Sequence, residues 1–298
     1  MKRDSTHQKV IAIVQARMSS SRLPGKVLLD IGGKPMLARV IDRSRRAKWV
    51  DEVIVATTTE EEDTPIAVFC QQYDVPYYRG SQFDVLDRYY QTAKQFHADV
   101  IVRITADCPL IDPQLMDEVI EDLFFWKRDQ SKPLSQGEKV LENPFWDFAA
   151  NRLPPPWKRT YPIGLDTEVC TFMALERAWQ EAQEPYHREH VMPYLYDPDH
   201  SVHCSTLHVS QPLPDFPPNY FKVLVIDHDP DYGNYRWTVD TRDDLILLRE
   251  IYARFDNHDQ MSWREVLRIF QEDPQLNQIN AAIKPKNVVE IDPRGWKK

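Results

Sequence analysis

Apolar residues follow two rhythms along this chain. Unbroken runs at 10–14 (Val-Ile-Ala-Ile-Val) and 53–57 (Val-Ile-Val-Ala-Thr) are short, the pattern of strands covered on both faces. Segments 75–78, 99–105, 145–151, 165–169, 202–209, 222–226 and 236–240 read as further strands. Between them apolar residues recur three and four apart, the spacing of one helix face, over 35–47, 64–73, 84–90, 113–124, 172–183, 241–255 and 263–270. In the first of these Met36, Leu37, Val40, Ile41 and Ser44 share a face, and Arg39, Arg43, Arg45 and Arg46 are expected on a solvated one. Strand and helix alternate, which predicts right-handed crossovers and an α/β fold around a mostly parallel sheet. The polar stretch 126–143 reads as a surface insertion, and Pro154-Pro155-Pro156 as a stiff polyproline connector.

Composition narrows the partners. With 298 residues, 42% of them hydrophobic, the chain has ample material for a core. A net charge of −9 argues against a nucleic-acid partner. Cys70, Cys108, Cys170 and Cys204 form no C-x-x-C pair, so neither a zinc site nor a redox dithiol is indicated. A polar N-terminus and the lack of a long apolar run predict a reduced, cytoplasmic protein with no membrane partner.

An acidic protein that handles an anion must gather its cations locally. The strand at 10–14 runs into Gln15-Ala16-Arg17-Met18-Ser19-Ser20-Ser21-Arg22-Leu23-Pro24-Gly25-Lys26. Ligands of α/β sheets bind outside the carboxyl ends of such strands. Arg17, Arg22 and Lys26 can neutralise a polyphosphate there, and the serines and backbone amides can hydrogen-bond its oxygens. The same residues also suit a plain solvated loop. The G-x-x-x-x-G-K-[ST] spacing is missing, so P-loop chemistry is excluded.

Two aspartates lack a local structural task. Asp112 before Pro113 is a helix start, and Thr241 with Asp244 forms a capping box. Asp107 and Asp240 follow strands and cap nothing. Carboxylates at such an edge suit a hard divalent cation bridging to phosphate oxygens. Asp166 and Glu168 share a strand face, which fits a metal pair, a sugar-hydroxyl clamp or the wet side of a sheet. His187 and His190, three apart on a helix, have no third zinc ligand at a convincing spacing. Asp227-His228-Asp229 and Asp229-Pro230-Asp231 each spell D-x-D, and equally describe a proline turn.

The loop resembles the signature Q-A-R-x-x-S-x-R-L-P-G-K of the cytidylyltransferases that activate acidic sugars, in particular the spore-coat polysaccharide biosynthesis branch. Residues 79–88 resemble the family's R-G-S-x-x-D-V-L-D-R, residues 103–112 its R-x-T-x-D-x-P-L-I-D, residues 159–168 its R-x-x-P-x-G-x-D-x-E, and residues 237–241 its W-T-V-D-T. The resemblance covers roughly 10–255. Ala106 stands where glycine is usual, Ile163 where an acidic residue is frequent, and the 126–143 stretch is longer than in that branch.

The resemblance implies a Rossmann-like, mostly parallel central sheet flanked by helices, with a smaller antiparallel dimerisation and substrate subregion at 157–225. It implies a nucleotidyltransferase domain over 1–254, a C-terminal helical extension at 255–298, and a homodimer touching through 165–209. The implied reaction joins CTP to an acidic, nonulosonate-like sugar, giving a CMP-sugar and pyrophosphate, with Mg2+ on Asp107 and Asp240. Arg17, Lys26, Asp107 and Asp240 form the implied catalytic set. Ala16, Arg17, Met18, Ser19, Arg22, Lys26, Arg79, Arg103, Thr105 and Ala106 lie toward the nucleotide, and Arg159, Asp166, Glu168 and His190 toward the sugar. Cytosine specificity rests on the resemblance alone. A nucleotidyltransferase with a phosphorylated sugar or phosphonate acceptor, a glycosyltransferase using D-x-D, and a non-catalytic nucleotide-binding subunit are the alternatives.

Overall fold

The computed structural model of the chain describes residues 8–124, 144–154, 158–208, 213–283, 291–292 and 294–295. The 126–143 stretch, Pro155 and Pro156 lie outside them. The first half holds β1 (Val10–Gln15), β2 (Asp30–Ile31), β3 (Lys34–Pro35), α1 (Met36–Ser44), β4 (Glu52–Thr58), α2 (Thr64–Gln72), β5 (Tyr77–Gly80), α3 (Val85–Gln95), β6 (Val100–Thr105) and α4 (Pro113–Phe124). The second holds β7 (Phe148–Ala150), β8 (Glu168–Thr171), α5 (Phe172–Glu181), α6 (Pro185–His190), α7 (Pro193–Tyr196), β9 (Ser201–Ser205), β10 (Phe221–Val225), α8 (Arg242–Arg254) and α9 (Trp263–Glu272).

One mostly parallel sheet runs in the order β5-β4-β1-β6-β8-β7-β10-β9. Its antiparallel component is β8, which opposes both β6 and β7, while β2 and β3 make a separate small antiparallel ribbon. Val10, Ala12 and Val14 of β1 enter a core with α1, α4, α8 and α9, and Ile11 and Ile13 enter a second core with α3, α5 and α7. Burial on both faces explains why β1 is apolar at every position from Val10 to Val14 rather than at alternate ones. Because β8 runs against β6, it starts at the edge where β6 ends, and Glu168 pairs in register with Arg103. The segment before β8 is thereby delivered to the ligand edge of the sheet. Among the described residues no helix is long and apolar enough to cross a membrane.

Three expectations from the pattern are corrected. Arg39 and Arg43 are buried, not solvated. Arg39 donates to the carbonyls of Ile31, Gly32 and Asn257, and Arg43 to those of Ile111, Asp259 and Met261. Residues 257–261 lie across α1, and only the five-donor guanidinium can satisfy so many buried carbonyls at once. Residues 236–240 are extended but not a strand: Arg236 makes an isolated bridge with Ile163, and Trp237 N donates to Ile163 O at 2.7 Å. The strand expected at 202–209 stops at Ser205.

The cap assignments agree with the structure. Asp112 Oδ1 accepts from the N–H groups of Gln114 and Leu115, both at 3.0 Å, and Thr241 with Asp244 completes a capping box. Asp112 Oδ2 also takes Trp263 N at 2.7 Å, which ties α9 to the start of α4. Trp263, Val266, Phe270 and Leu276 are buried in the first core, so the C-terminal residues share the core of the sheet.

Candidate active site

The loop after β1 is folded back on itself. Met18 O accepts the N–H groups of Ser20 (2.8 Å) and Gly25 (2.9 Å). Gly25 sits at φ +69, and an added Cβ would stand 3.3 Å from Met18 Cε, so the turn calls for glycine. Met18 N donates to Asp63 Oδ1 at 2.6 Å, and the other oxygen of this buried carboxylate takes the Thr58 hydroxyl. Asp63 escaped the sequence reading because its partner lies 45 positions away. Asp63→Ala is expected to lower stability by about 1–3 kcal/mol, the cost of leaving buried polar groups unpaired. Urea unfolding of the purified variant measures it.

This fold-back delivers Lys26 to the centre of the site. Its ammonium donates to Asp107 Oδ2 (2.8 Å), Asp240 Oδ1 (3.0 Å) and Val239 O (2.7 Å), which uses all three donors. Burial pulls the Lys26 pKa down, but the charges and hydrogen bonds of Asp107 and Asp240 outweigh it and leave it raised. Burial likewise pushes the Asp240 carboxyl up, and Lys26, Arg236 and Arg22 outweigh it and hold it well below the carboxylate range. The stabilisation from Lys26 is therefore lost only as pH rises through its raised value. That from Asp240 is lost only as pH falls through its lowered one. Lys26 and Asp240 therefore both keep their charge across neutral pH.

Asp240 Oδ2 accepts Arg22 and Arg236, each at 2.7 Å. Thr105 Oγ1 donates to Asp107 Oδ1 at 2.6 Å. The Asp107 carbonyl takes Val239 N (2.9 Å) and Thr238 Oγ1 (3.0 Å), so residues 237–240 are stitched to the end of β6. Arg236 and Asp240 are four positions apart, a spacing at which the sequence alone allows a local ion pair.

Arg17, Arg22, Lys26, Thr105, Ala106, Asp107 and Asp240 line one cavity of about 220 Å3, together with Gln15 and Ser20. Met18 and Ser19 line an adjoining recess of about 650 Å3 that shares Arg17. Ala16 is buried behind the loop, its N–H on Ala56 O at 3.1 Å. Arg79 lines neither space and staples the carbonyls of Thr58 and Glu60, both at 2.8 Å.

Arg103, expected toward the nucleotide, and Arg159, Asp166 and Glu168, expected toward the sugar, form two part-buried ion pairs and do not line that cavity. Arg103 pairs with Glu168, and Arg159 grips Asp166 through both guanidinium nitrogens. Burial opposes both charged forms, yet Glu168 raises the Arg103 pKa, and Arg159 lowers that of Asp166. Glu168 is 3% exposed and Asp166 precedes β8, so the two do not form the wet face of a strand. His190 ends α6 with its ring 5.3 Å from that of Tyr186 and does not line the cavity. His187 pairs with Asp197 at 3.4 Å. Asp227 takes the Ser205 hydroxyl at 2.6 Å, and Asp231 takes Gly233 N at 2.7 Å, as turn residues do. Among the described residues no three His, Cys, Asp or Glu side chains gather as a metal site.

A cationic loop at the carboxyl ends of parallel strands, closed over two carboxylates and a lysine, is the apparatus of a nucleotidyltransferase. The chain belongs to the cytidylyltransferase family, whose model matches residues 11–232. It is 35% identical over 287 residues to an uncharacterized protein of Methanocaldococcus jannaschii, covering 95% of this chain and 99% of that one. It is 25% identical over 272 residues to the spore coat polysaccharide biosynthesis protein SpsF of Bacillus subtilis, covering 89% and 95%. A 3-deoxy-manno-octulosonate cytidylyltransferase of Geobacter metallireducens is 38% identical over 115 residues, covering 39% and 44%. The solved structure of a cytidylyltransferase from Leptospira borgpetersenii superposes with a TM-score of 0.72 at 27% identity, covering 94% and 100%.

Proposed function

We propose that this chain transfers the cytidylyl group of CTP to a hydroxyl of an acidic, nonulosonate-like sugar, releasing pyrophosphate, as a cytoplasmic step toward a surface polysaccharide. The observation that carries this reading is the Lys26 ammonium held between Asp107 and Asp240 on the wall of a cavity that Arg17 and Arg22 also line. In the reaction the sugar oxygen bonds to the α-phosphorus as the bond to the pyrophosphate oxygen breaks. The protein's share is positioning and neutralising charge. Arg17, Arg22 and Lys26 are assigned to the triphosphate. Gln15 Oε1 is buried with no hydrogen-bond donor, which suits it to a ligand N–H or hydroxyl.

Asp107 and Asp240 each turn an oxygen to one cation, and magnesium needs only one or two carboxylates beside waters and phosphates, so the donor set fits it. When bound, magnesium supplies Lewis-acid neutralisation of phosphate charge. Arg159, already oriented by Asp166, favours an acceptor that carries a carboxylate. The names of the relatives, a polysaccharide biosynthesis protein and an octulosonate cytidylyltransferase, support the same class. The proposal includes a homodimer formed through 165–209, where Met173 is 72% exposed and Leu207 is 54% exposed.

Pyrophosphate release with magnesium, each nucleoside triphosphate being offered against a panel of sugars, tests the reading. Release is expected with CTP and a keto-acid sugar. Release only with another triphosphate, or only with a phosphorylated sugar or phosphonate, would overturn it.

A further inference from the structure

The C-terminal residues reach the site through one buried chain of hydrogen bonds. Asn280, 6% exposed, lies beyond α9 and donates from Nδ2 to Arg236 O (3.1 Å) and to Asp244 Oδ1 (3.0 Å). Asp244 is fully buried. Its Oδ1 also takes Arg236 Nε at 3.0 Å, and its Oδ2 takes the backbone N–H groups of Asp240 and Thr241, each at 3.0 Å. Arg236 then spans to Asp240 Oδ2 at 2.7 Å. The side chain and the N–H of Asp240 are both set by a carboxylate that Asn280 holds in place. Phe270 of α9 backs the same segment, with its ring 5.6 Å from that of Trp237 and 5.5 Å from that of Tyr235.

A capping carboxylate needs only the N–H groups of its helix start. Asp244 has that job, and a cap alone does not account for a guanidinium shared with Asp240 or for a buried amide from 36 residues away. Partners behind a ligating carboxylate fix its orientation and the charge it presents. We propose that Asn280 is a positioning residue for Asp240, acting through Asp244 and Arg236, and that the C-terminal extension is thereby a working part of the nucleotide site. The inference rests on the functional reading above, in which Asp240 holds a divalent cation with CTP.

Manganese(II) binding, titrated by paramagnetic resonance with CTP present and no sugar acceptor, tests it on the full chain. Asn280→Ala is expected to weaken manganese binding about tenfold, the low end of the range for such outer partners. It should lower kcat similarly while leaving KM for CTP within about twofold, as expected when a group is misplaced rather than lost. Arg236→Lys, which keeps the charge and loses the fork, should act in the same direction, and the two effects should not add. Val266→Ala loosens α9 through the core alone; it should lower the melting temperature and leave manganese affinity unchanged. Manganese affinity and kcat unchanged in Asn280→Ala, or weakened equally by Val266→Ala, would overturn the positioning role alone. Absence of CTP-dependent manganese binding in the wild type would overturn the functional reading and this one with it.

Discussion

Lys26→Met is expected to lower pyrophosphate release by about a thousandfold, comparable to removing a dedicated charge-stabilising donor from an active site, and at the same time to tighten manganese binding. The two effects have one cause. In the structure the ammonium neutralises Asp107 and Asp240 together, with one donor on each and a third on Val239 O. Methionine fills similar volume but leaves both carboxylates facing each other without that charge. Arg22 and Arg236 remain on Asp240, and Thr105 remains on Asp107, so the aspartates stay where they are. A divalent cation then competes with nothing for the oxygens that Lys26 held. The transition state, with charge spreading onto the leaving pyrophosphate, has lost one of the three cations assigned to it. Single-turnover kinetics and manganese titration of the same preparation measure both. Lower activity with weaker manganese binding would mean that Lys26 shapes the site rather than supplying charge.

Glu168→Ala is expected to destabilise the fold by about 3–5 kcal/mol, the range for breaking one side of a buried ion pair. Glu168 starts β8 at 3% exposure, in register with Arg103 of β6, and Arg152 approaches its other oxygen at 3.9 Å. The alanine variant strands the Arg103 guanidinium in the sheet with its charge unbalanced. Arg103→Met combined with Glu168→Leu is expected to recover most of the loss in denaturant titration, because two apolar side chains remove the buried charge along with its partner. Recovery of stability without recovery of sugar-dependent turnover would separate the pair's role in the sheet from its role toward the acceptor.

The signals that were legible were local. Near-continuous apolar runs marked β1 and β4, because the middle of a strand covered on both faces is apolar on both. Caps at Asp112 and Thr241 were visible because a cap and its helix are three residues apart. Assigning those aspartates and threonines to caps left Asp107 and Asp240 over, and these are the two that Lys26 brings together. The arginines of α1 misled for the same reason that the caps succeeded. Their helical spacing was right, but the carbonyls that bury them include those of Asn257, Asp259 and Met261, more than 200 positions away and beyond anything a helix pattern contains. The run at 236–240 has strand-like residues, yet among the described residues its backbone-to-backbone hydrogen bonds go to Ile163 and Asp107 and not to a neighbouring strand.

The chain's own sequence determined the class of fold, the cationic loop and the unemployed aspartates, since each is a matter of periodicity or of neighbours a few residues apart. Tertiary structure alone decided that Lys26 sits between the carboxylates, that Asp63 anchors Met18, that Arg103 and Glu168 meet across antiparallel strands, and that Asn280 closes the chain behind Asp240. Those contacts join positions 36 to 214 residues apart. Which distant donor meets which buried acceptor depends on strand order and on the packing of both cores, and no stretch of sequence carries that information by itself.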